Sequence, residues 1–414
     1  MVKIGTVCSG IGAPEKALAR LGIGYEVVYF CEIDKHAEKS FCAIHNEPKS
    51  KNLVDLTAIQ IDRLPHDIDL IVGGTPCQDF SIAGGRAGGE KDSQTRSSLM
   101  WWLVEIIRNT KPKVVLWENV PGCLAADMKR NYKKFISTLN AIGYKTYAKI
   151  LNSKDFGVPQ SRDRVFVLAI RKDLQIDFEM PCGYDCGIRL VDILESNADP
   201  KYYLSEQMIQ TFERRNSIAN LNFTFNPKHK DEYNKAQTIT TREGNIASSN
   251  WIKEPRPIEI TSKQSQGYRV YDPQGLSVTL SAEGGGLGAK TGLYMFNAYN
   301  NAEVKDFAPT QTANCGTPTS SAAVLIANET RIRKLTPLEC FKLMGFDDSD
   351  FDKCKAAGIS DSQLYKQAGN SIVVNVLMAI FGQLYGVDWP PLVYGKWYKT
   401  EQQRLYELPL LQAS

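Results

Sequence analysis

Asp69-Leu70-Ile71-Val72-Gly73-Gly74-Thr75-Pro76-Cys77-Gln78 sets the reading of this chain. Leu70 to Val72 is a short apolar run closed by glycine and proline, the pattern of a strand buried in a parallel sheet. Cys77 then falls on the loop at the carboxyl end of that strand, where open α/β sheets bind their ligands. A thiol so placed is a candidate nucleophile. The alternative is a cysteine packed in the core, because free cysteine is among the most buried residue types. Two other stretches favour the nucleophile.

The first lies at the N-terminus. Ile4 to Val7 reads as a strand, Cys8-Ser9-Gly10-Ile11-Gly12-Ala13 as a turn, and Pro14 to Leu21 as a helix with proline in its first turn. Strand, glycine turn and helix open a doubly wound nucleotide-binding fold, in which glycine lets a ligand approach the backbone. A second strand, Val27 to Cys31, ends at Glu32-Ile33-Asp34. An acid about twenty positions past the glycines is where a ribose hydroxyl is gripped. No Lys-Ser/Thr pair follows the glycines, and the third glycine of the dinucleotide fingerprint is missing. An adenosine ligand without a pyrophosphate therefore fits better than NAD, and S-adenosylmethionine is the obvious candidate. The second stretch is Lys113 to Pro121, a buried strand delivering Glu118 at its carboxyl end. Taken alone, Glu118 reads equally as a helix cap or a loop residue; beside the other two strand ends it reads as part of one site.

Thr75-Pro76-Cys77-Gln78, Glu118-Asn119-Val120, Gln160-Ser161-Arg162-Asp163-Arg164 and Gly369-Asn370-Ser371 follow one another in this order. The set resembles the ordered motifs of the C5-cytosine DNA methyltransferases of bacterial and phage restriction–modification systems. Ser9 to Gly12, Glu32 to Asp34, Asp55, Arg333 to Cys340 and Tyr365 to Val376 extend the likeness over almost the whole chain. The sequence departs from the family pattern at Cys8, where an aromatic residue is usual, and at Thr75, where the family has proline. The adenine contact is then either weaker or made by Ile33.

The resemblance implies a fold and a set of roles. The fold is α/β, a doubly wound mixed sheet of the S-adenosylmethionine-dependent methyltransferase type, with a smaller β-rich target-recognition domain. Cys77 would attack C6 of a cytosine taken out of the duplex, an extrusion costing a few kcal/mol. Glu118 would hold N3 and the amino group and give a proton as the ring gains electrons, and its pKa should be raised by burial. C5 would take the methyl group, and loss of the C5 proton and of Cys77 would restore the ring. Arg164 and Arg162 would orient the base and Glu118. On the cofactor side stand Ser9, Gly10, Ile11, Gly12, Ile33, Asp34, Leu56 and Pro76. Glu32 would take the ribose hydroxyls and Asp55 the adenine amino group, with Asn370, Ser371 and Ile372 at the methionine end. Gln78 and Ser81 would face DNA.

Composition and organisation add limits. The 414 residues suffice for two domains with real cores. Ten cysteines without regular spacing suggest a reducing compartment and no disulfide framework. Cys182 and Cys186 lie close together, but no second pair completes a zinc site, and no metal is expected. The start lacks the basic and apolar regions of a signal peptide, and the apolar runs fall short of a membrane span. A cytoplasmic monomer away from membranes is expected. A net charge of +3 does not announce a polyanion ligand, so any basic groove must be local.

Residues 1 to 185 alternate strand and helix, closed by Val165 to Ile170, and form the expected catalytic domain. From 186 to about 330 Thr, Ser, Asn and Gly rise and helical periodicity fades. Ala236 to Thr240, Ser277 to Ser281 and Ala308 to Thr312 look alike, each followed by a glycine-containing stretch and an apolar pair (Trp251-Ile252, Leu293-Tyr294, Leu325-Ile326). They read as repeated hairpins in a β-rich target-recognition domain spanning 186–365 with its hinge, although the first and third copies read equally as plain alternation in a half-solvated sheet. Past Pro337 the chain turns helical, and 366–414, with the apolar helix Ile372 to Leu384, returns to the first domain. Gln266 to Tyr271, Thr279-Leu280 and Gly284-Gly285-Gly286 resemble the recognition region of methyltransferases acting on GCGC sites. Arg269 is the candidate guanine reader, since arginine is the commonest bidentate partner of guanine, and Gln266 could reach the emptied base position. The partner implied is double-stranded DNA, with pairing to a restriction endonuclease left open.

Three other readings compete. A tRNA-methylating relative would have a shorter variable region. A DNA-binding module with a dead site would have lost Cys77, Glu118 or the glycines. A cysteine hydrolase would want a histidine partner, and His36, His45, His66 and His229 all lie outside the motifs.

Overall fold

Along Leu70–Gly73 the side chains divide between two cores: Leu70 and Val72 face one, Ile71 the other. The computed structural model describes residues 1–75, 99–125, 128–202, 270–271, 293–297 and 330–397. Pro76, Cys77, Gln78, Ser81, Gln266, Arg269, Thr279, Leu280 and Gly284 to Gly286 lie outside the described residues.

Six strands form the main sheet: β1 (Val2–Val7), β2 (Tyr25–Cys31), β3 (Leu70–Gly73), β4 (Val114–Asn119), β5 (Tyr144–Asn152) and β6 (Asp163–Arg171), in the order β2-β1-β3-β4-β6-β5. β2, β1, β3 and β4 are parallel, whereas β6 runs antiparallel to both β4 and β5. The expected doubly wound mixed sheet is what the chain forms. β1 leads to β2 on one side and the chain then crosses back to β3 on the other. The strand order therefore reverses between β1 and β3, and a doubly wound sheet binds its ligand at the carboxyl ends beside such a reversal.

Helices cover both faces. α1 (Ala13–Arg20) and α2 (Lys35–His45) serve one face. α3 (Leu99–Thr110) and α4 (Lys129–Ala141) cover the other, around Trp117, Phe135, Leu139 and Ile107. Each Val, Leu or Phe buried this fully contributes about 1.5–3 kcal/mol.

From Leu335 the chain rejoins the core of β1 and α1. α5 (Pro337–Leu343), α6 (Asp348–Ala356), α7 (Asp361–Asn370), α8 (Val374–Tyr385) and α9 (Pro390–Tyr394) place Phe341, Cys354, Leu364, Phe381 and Val393 in that same cluster. Cys186, Ile188 and Leu190 also belong to it. α5 starts where Thr336-Pro337 says it should: Thr336 accepts from the Glu339 backbone N–H at 3.2 Å, and Glu339 accepts from the Thr336 N–H at 2.7 Å. By length and composition, Asp361–Tyr385 could cross a bilayer; 72% of its most apolar window is buried inside the protein, as in a core helix.

A second, three-stranded sheet joins β7 (Val270–Tyr271), β8 (Leu293–Asn297) and β9 (Thr330–Lys334). β7 and β8 are parallel and β8 and β9 antiparallel; Ser277 to Ser281, the arm expected to pair with Leu293-Tyr294, lies outside the described residues.

Candidate active site

The turn after β1 is wound left-handed at Cys8, Gly10 and Gly12, with φ of 52°, 57° and 81°. Two of these three positions are glycine, the residue that adopts this region without strain. Gly12 has a second reason. A Cβ there would stand 2.1 Å from His45 Nε2. His45 donates from Nε2 to the Ile11 carbonyl at 3.0 Å, which requires the tautomer protonated on that nitrogen. Burial lowers the His45 pKa to about 4, so the ring is neutral and the donor is retained at ordinary pH. No sequence motif pointed to His45.

The turn is tied to its neighbours by buried polar atoms. Ser9 donates its backbone N–H to the Cys31 carbonyl at 3.1 Å, and its hydroxyl accepts from the Cys31 N–H at 3.0 Å. Thr6 Oγ1 lies 2.8 Å from Ser9 Oγ and 3.0 Å from Glu15 Oε1. One hydroxyl proton cannot serve both contacts. With Thr6 donating to Ser9, the Glu15 contact needs a proton on the carboxyl. Glu15 is fully buried, its Oε2 has no hydrogen-bond partner among the described residues, and burial raises its pKa to about 7. Ile11 and Leu56 put their side chains into the core and offer only backbone to a ligand.

Glu32 closes the rim. Its carboxylate accepts from Gly10 N at 2.8 Å and from Asp34 N at 2.9 Å, and burial raises its pKa. Beside it, Ile33 is 67% exposed and Val54 47%, apolar side chains left open to a flat ring. Asp34 and Asp55 are engaged locally. Asp34 caps α2 through the N–H groups of His36 and Ala37 and pairs with Lys366 at 2.5 Å. Asp55 caps the turn Leu56–Ala58 through Thr57.

Glu118, at the end of β4, is 8% exposed. Arg164 Nε on β6 stands 3.0 Å from its Oε1. Burial raises the Glu118 pKa, and the nearby Arg164 and Arg162 cations only partly offset it. Its Oε2 lies 3.6 Å from where a Cβ on Gly74 would be, and Ile372 Cδ1 lies 3.5 Å from the same point. Gly74 thus sits between the acid and the C-terminal segment. Arg162 turns to that segment: its Nη2 donates to the carbonyls of Gly369 at 3.1 Å and Ser371 at 2.9 Å. Ser371 is buried and caps α7, while Asn370 is exposed. The ends of β1, β2, β3 and β4 therefore gather Gly10, Glu32, Gly74 and Glu118 at one edge of the sheet, with Ile372 closing over Gly74.

This architecture defines a class. A solved methyltransferase of Entamoeba histolytica, EhMeth, superposes with a TM-score of 0.62 at 17% identity, over 93% of this chain and 98% of its own. The Dnmt2 methyltransferase of S. pombe does so with a TM-score of 0.58 at 17% identity, over 94% and 100%. The fold is that of the α/β methyltransferases. The chain belongs to the C-5 cytosine-specific DNA methylase family, whose model matches residues 2–386, and it is a DNA cytosine-5 methyltransferase. It is 35% identical to the orphan methyltransferase M.SPRI of Bacillus phage SPR, over 92% of this chain and 97% of that one. It is 30% identical to the type II methyltransferase M.HhaI of Haemophilus parahaemolyticus, over 90% of each.

Proposed function

We propose that this enzyme moves a methyl group from S-adenosylmethionine to C5 of a cytosine extruded from a specific duplex DNA sequence, through a transient bond to Cys77. The observation that carries the reading is the buried Glu118, held by Arg164 against Gly74 three residues before Cys77. An acid with a raised pKa keeps the proton that N3 of cytosine must receive as the Cys77 thiolate adds to C6. Arg164 orients that acid. Arg162 supports it by fixing the Gly369–Ser371 backbone.

The residues on the cofactor side fit an adenosine-bearing sulfonium. The space over Gly10 is open, the half-buried Glu32 carboxylate stands at the rim, and the exposed Ile33 and Val54 suit an adenine face. When bound, S-adenosylmethionine supplies an electrophilic methyl group. Asp34 and Asp55 contribute by shaping the rim, since both carboxylates are engaged in capping. Residues 266–286 read the bases, Arg269 foremost. The relatives include orphan and type II methyltransferases, and the role proposed is protection of DNA from a restriction endonuclease, by a monomer acting in the cytoplasm.

Duplex DNA with 5-fluorocytosine at the target tests the chemistry, because fluorine at C5 cannot leave as a proton does. A covalent adduct mapping to Cys77, absent in Cys77→Ser, is expected. An adduct on another cysteine, or methyl transfer to tRNA and not to duplex DNA, overturns the reading.

A further inference from the structure

α4 breaks the local rules of a helix. Its first two turns carry Lys129, Arg130, Lys133 and Lys134, all exposed, and its first turn has no acidic residue. Cations there oppose the helix dipole, and Lys129/Lys133 and Arg130/Lys134 set like charges four residues apart. Among the described residues none of the four has an ion-pair partner, and Lys134 lies over the Trp101 ring at 5.2 Å. Elsewhere in the described chain Lys49, Lys51, Arg108, Lys113 and Arg171 each face a carboxylate. The opposite side of α4 is ordinary core, with Phe135 and Leu139 fully buried. A cationic stripe that opposes the helix dipole and finds no carboxylate among the described residues is the mark of a functional surface.

Its position says what it meets. β4 ends at Asn119 and passes through the turn Pro121–Leu124, which packs on α4. The stripe thus opens at the edge of the sheet where Glu118 stands. From 129 to 134 it runs about 8 Å along the axis at 1.5 Å per residue, about two phosphate steps of one DNA strand.

We propose that Lys129, Arg130, Lys133 and Lys134 form a docking stripe for the phosphate backbone of the duplex beside the extruded cytosine. The stripe positions the DNA and reads no sequence. It gives a chain with a net charge of only +3 a local positive surface for a polyanion.

The test replaces all four by glutamine in the full chain, keeping good helix formers on an exposed face. Affinity for a cognate and a scrambled duplex is measured across a series of salt concentrations. The plot of log K against log salt should flatten by about one for each phosphate that is no longer neutralised, equally on both duplexes. At saturating DNA and low salt, methyl transfer and the 5-fluorocytosine adduct should persist, which separates this proposal from the chemistry of Cys77. Thermal stability should stay level or rise. A second variant with arginine at 129, 133 and 134 should keep the wild-type slope. An unchanged slope in the glutamine variant, or weakening confined to the cognate duplex, overturns the proposal.

Discussion

Trp117 donates its indole N–H to the Thr75 hydroxyl at 2.9 Å, across the register that pairs Trp117 with Gly73. Asn119 adds a second tie, from its side-chain amide to the Thr75 carbonyl at 3.1 Å. The strand that carries Glu118 therefore also holds the backbone at Thr75, two residues before Cys77 in the chain.

Thr75→Val removes the acceptor of a buried indole N–H. Leaving such a donor unpaired costs about 1–3 kcal/mol, which denaturant titration will read. Single-turnover methylation should slow, with duplex affinity nearly unchanged, and Thr75→Ser should restore both. Wild-type turnover in Thr75→Val would remove the hydrogen bond from the positioning of Cys77.

Glu118→Gln keeps shape but cannot give up a proton. Methylation should fall roughly 10²–10⁴-fold while DNA still binds. In the proposed mechanism the working form is the protonated acid, so kcat should decline as pH rises through the Glu118 pKa. The Arg164 cation lowers that pKa; Arg164→Gln should therefore move the declining limb to higher pH. A shift to lower pH would contradict the role of the pair.

Glu15 binds its proton more tightly in the folded chain than its ordinary range near 4.5, up to about 7. Between those values the folded state holds the extra proton. Stability is therefore fully retained below about 4.5, falls as pH rises through the window, and levels off above 7. The total is on the order of 3 kcal/mol. Glu15→Gln, which imitates the neutral acid, should flatten the stability curve between pH 5 and 7.5 and melt higher than the wild type at pH 8. Parallel curves for the two proteins would show that Glu15 is not the titrating group.

Gly10→Ala and Gly12→Ala separate two functions of the turn. A Cβ at Gly10 meets nothing within 4 Å, so stability loses only the left-handed strain of about 1–2 kcal/mol. Binding of S-adenosylhomocysteine should weaken, because the new methyl occupies ligand space. A Cβ at Gly12 collides with His45 and should cost more stability, with loss of the Ile11 hydrogen bond. Thermal melts with calorimetric titration decide. Equal melts for the two variants would remove the His45 collision from the account.

Arg269→Ala tests the recognition region. A base reader should lose about 1–3 kcal/mol on the cognate site and relax one guanine position. Equal weakening on every single-base variant of the site would make Arg269 a phosphate contact instead.

Much of this enzyme could be read from residue order alone. The apolar runs at Ile4, Val27, Leu70, Val114 and Val165 are strands because short buried strands show as continuous apolar residues between turn formers. The acids at Glu32 and Glu118 end such runs, so their place at one sheet edge follows from parallel pairing. What the runs do not encode is which strand lies beside which. The order β2-β1-β3-β4-β6-β5 and the reversal of β6, which brings Arg164 to Glu118, are tertiary facts. So are His45 behind Gly12 and Arg162 on the carbonyls of Gly369 and Ser371, more than two hundred positions away. Periodicity records whether a side chain is buried; only packing selects its partner. That is why the polar groups supporting the site from beneath, Thr6, Glu15 and His45, came from the tertiary structure, while Gly10, Glu32 and Glu118 were already visible in the chain.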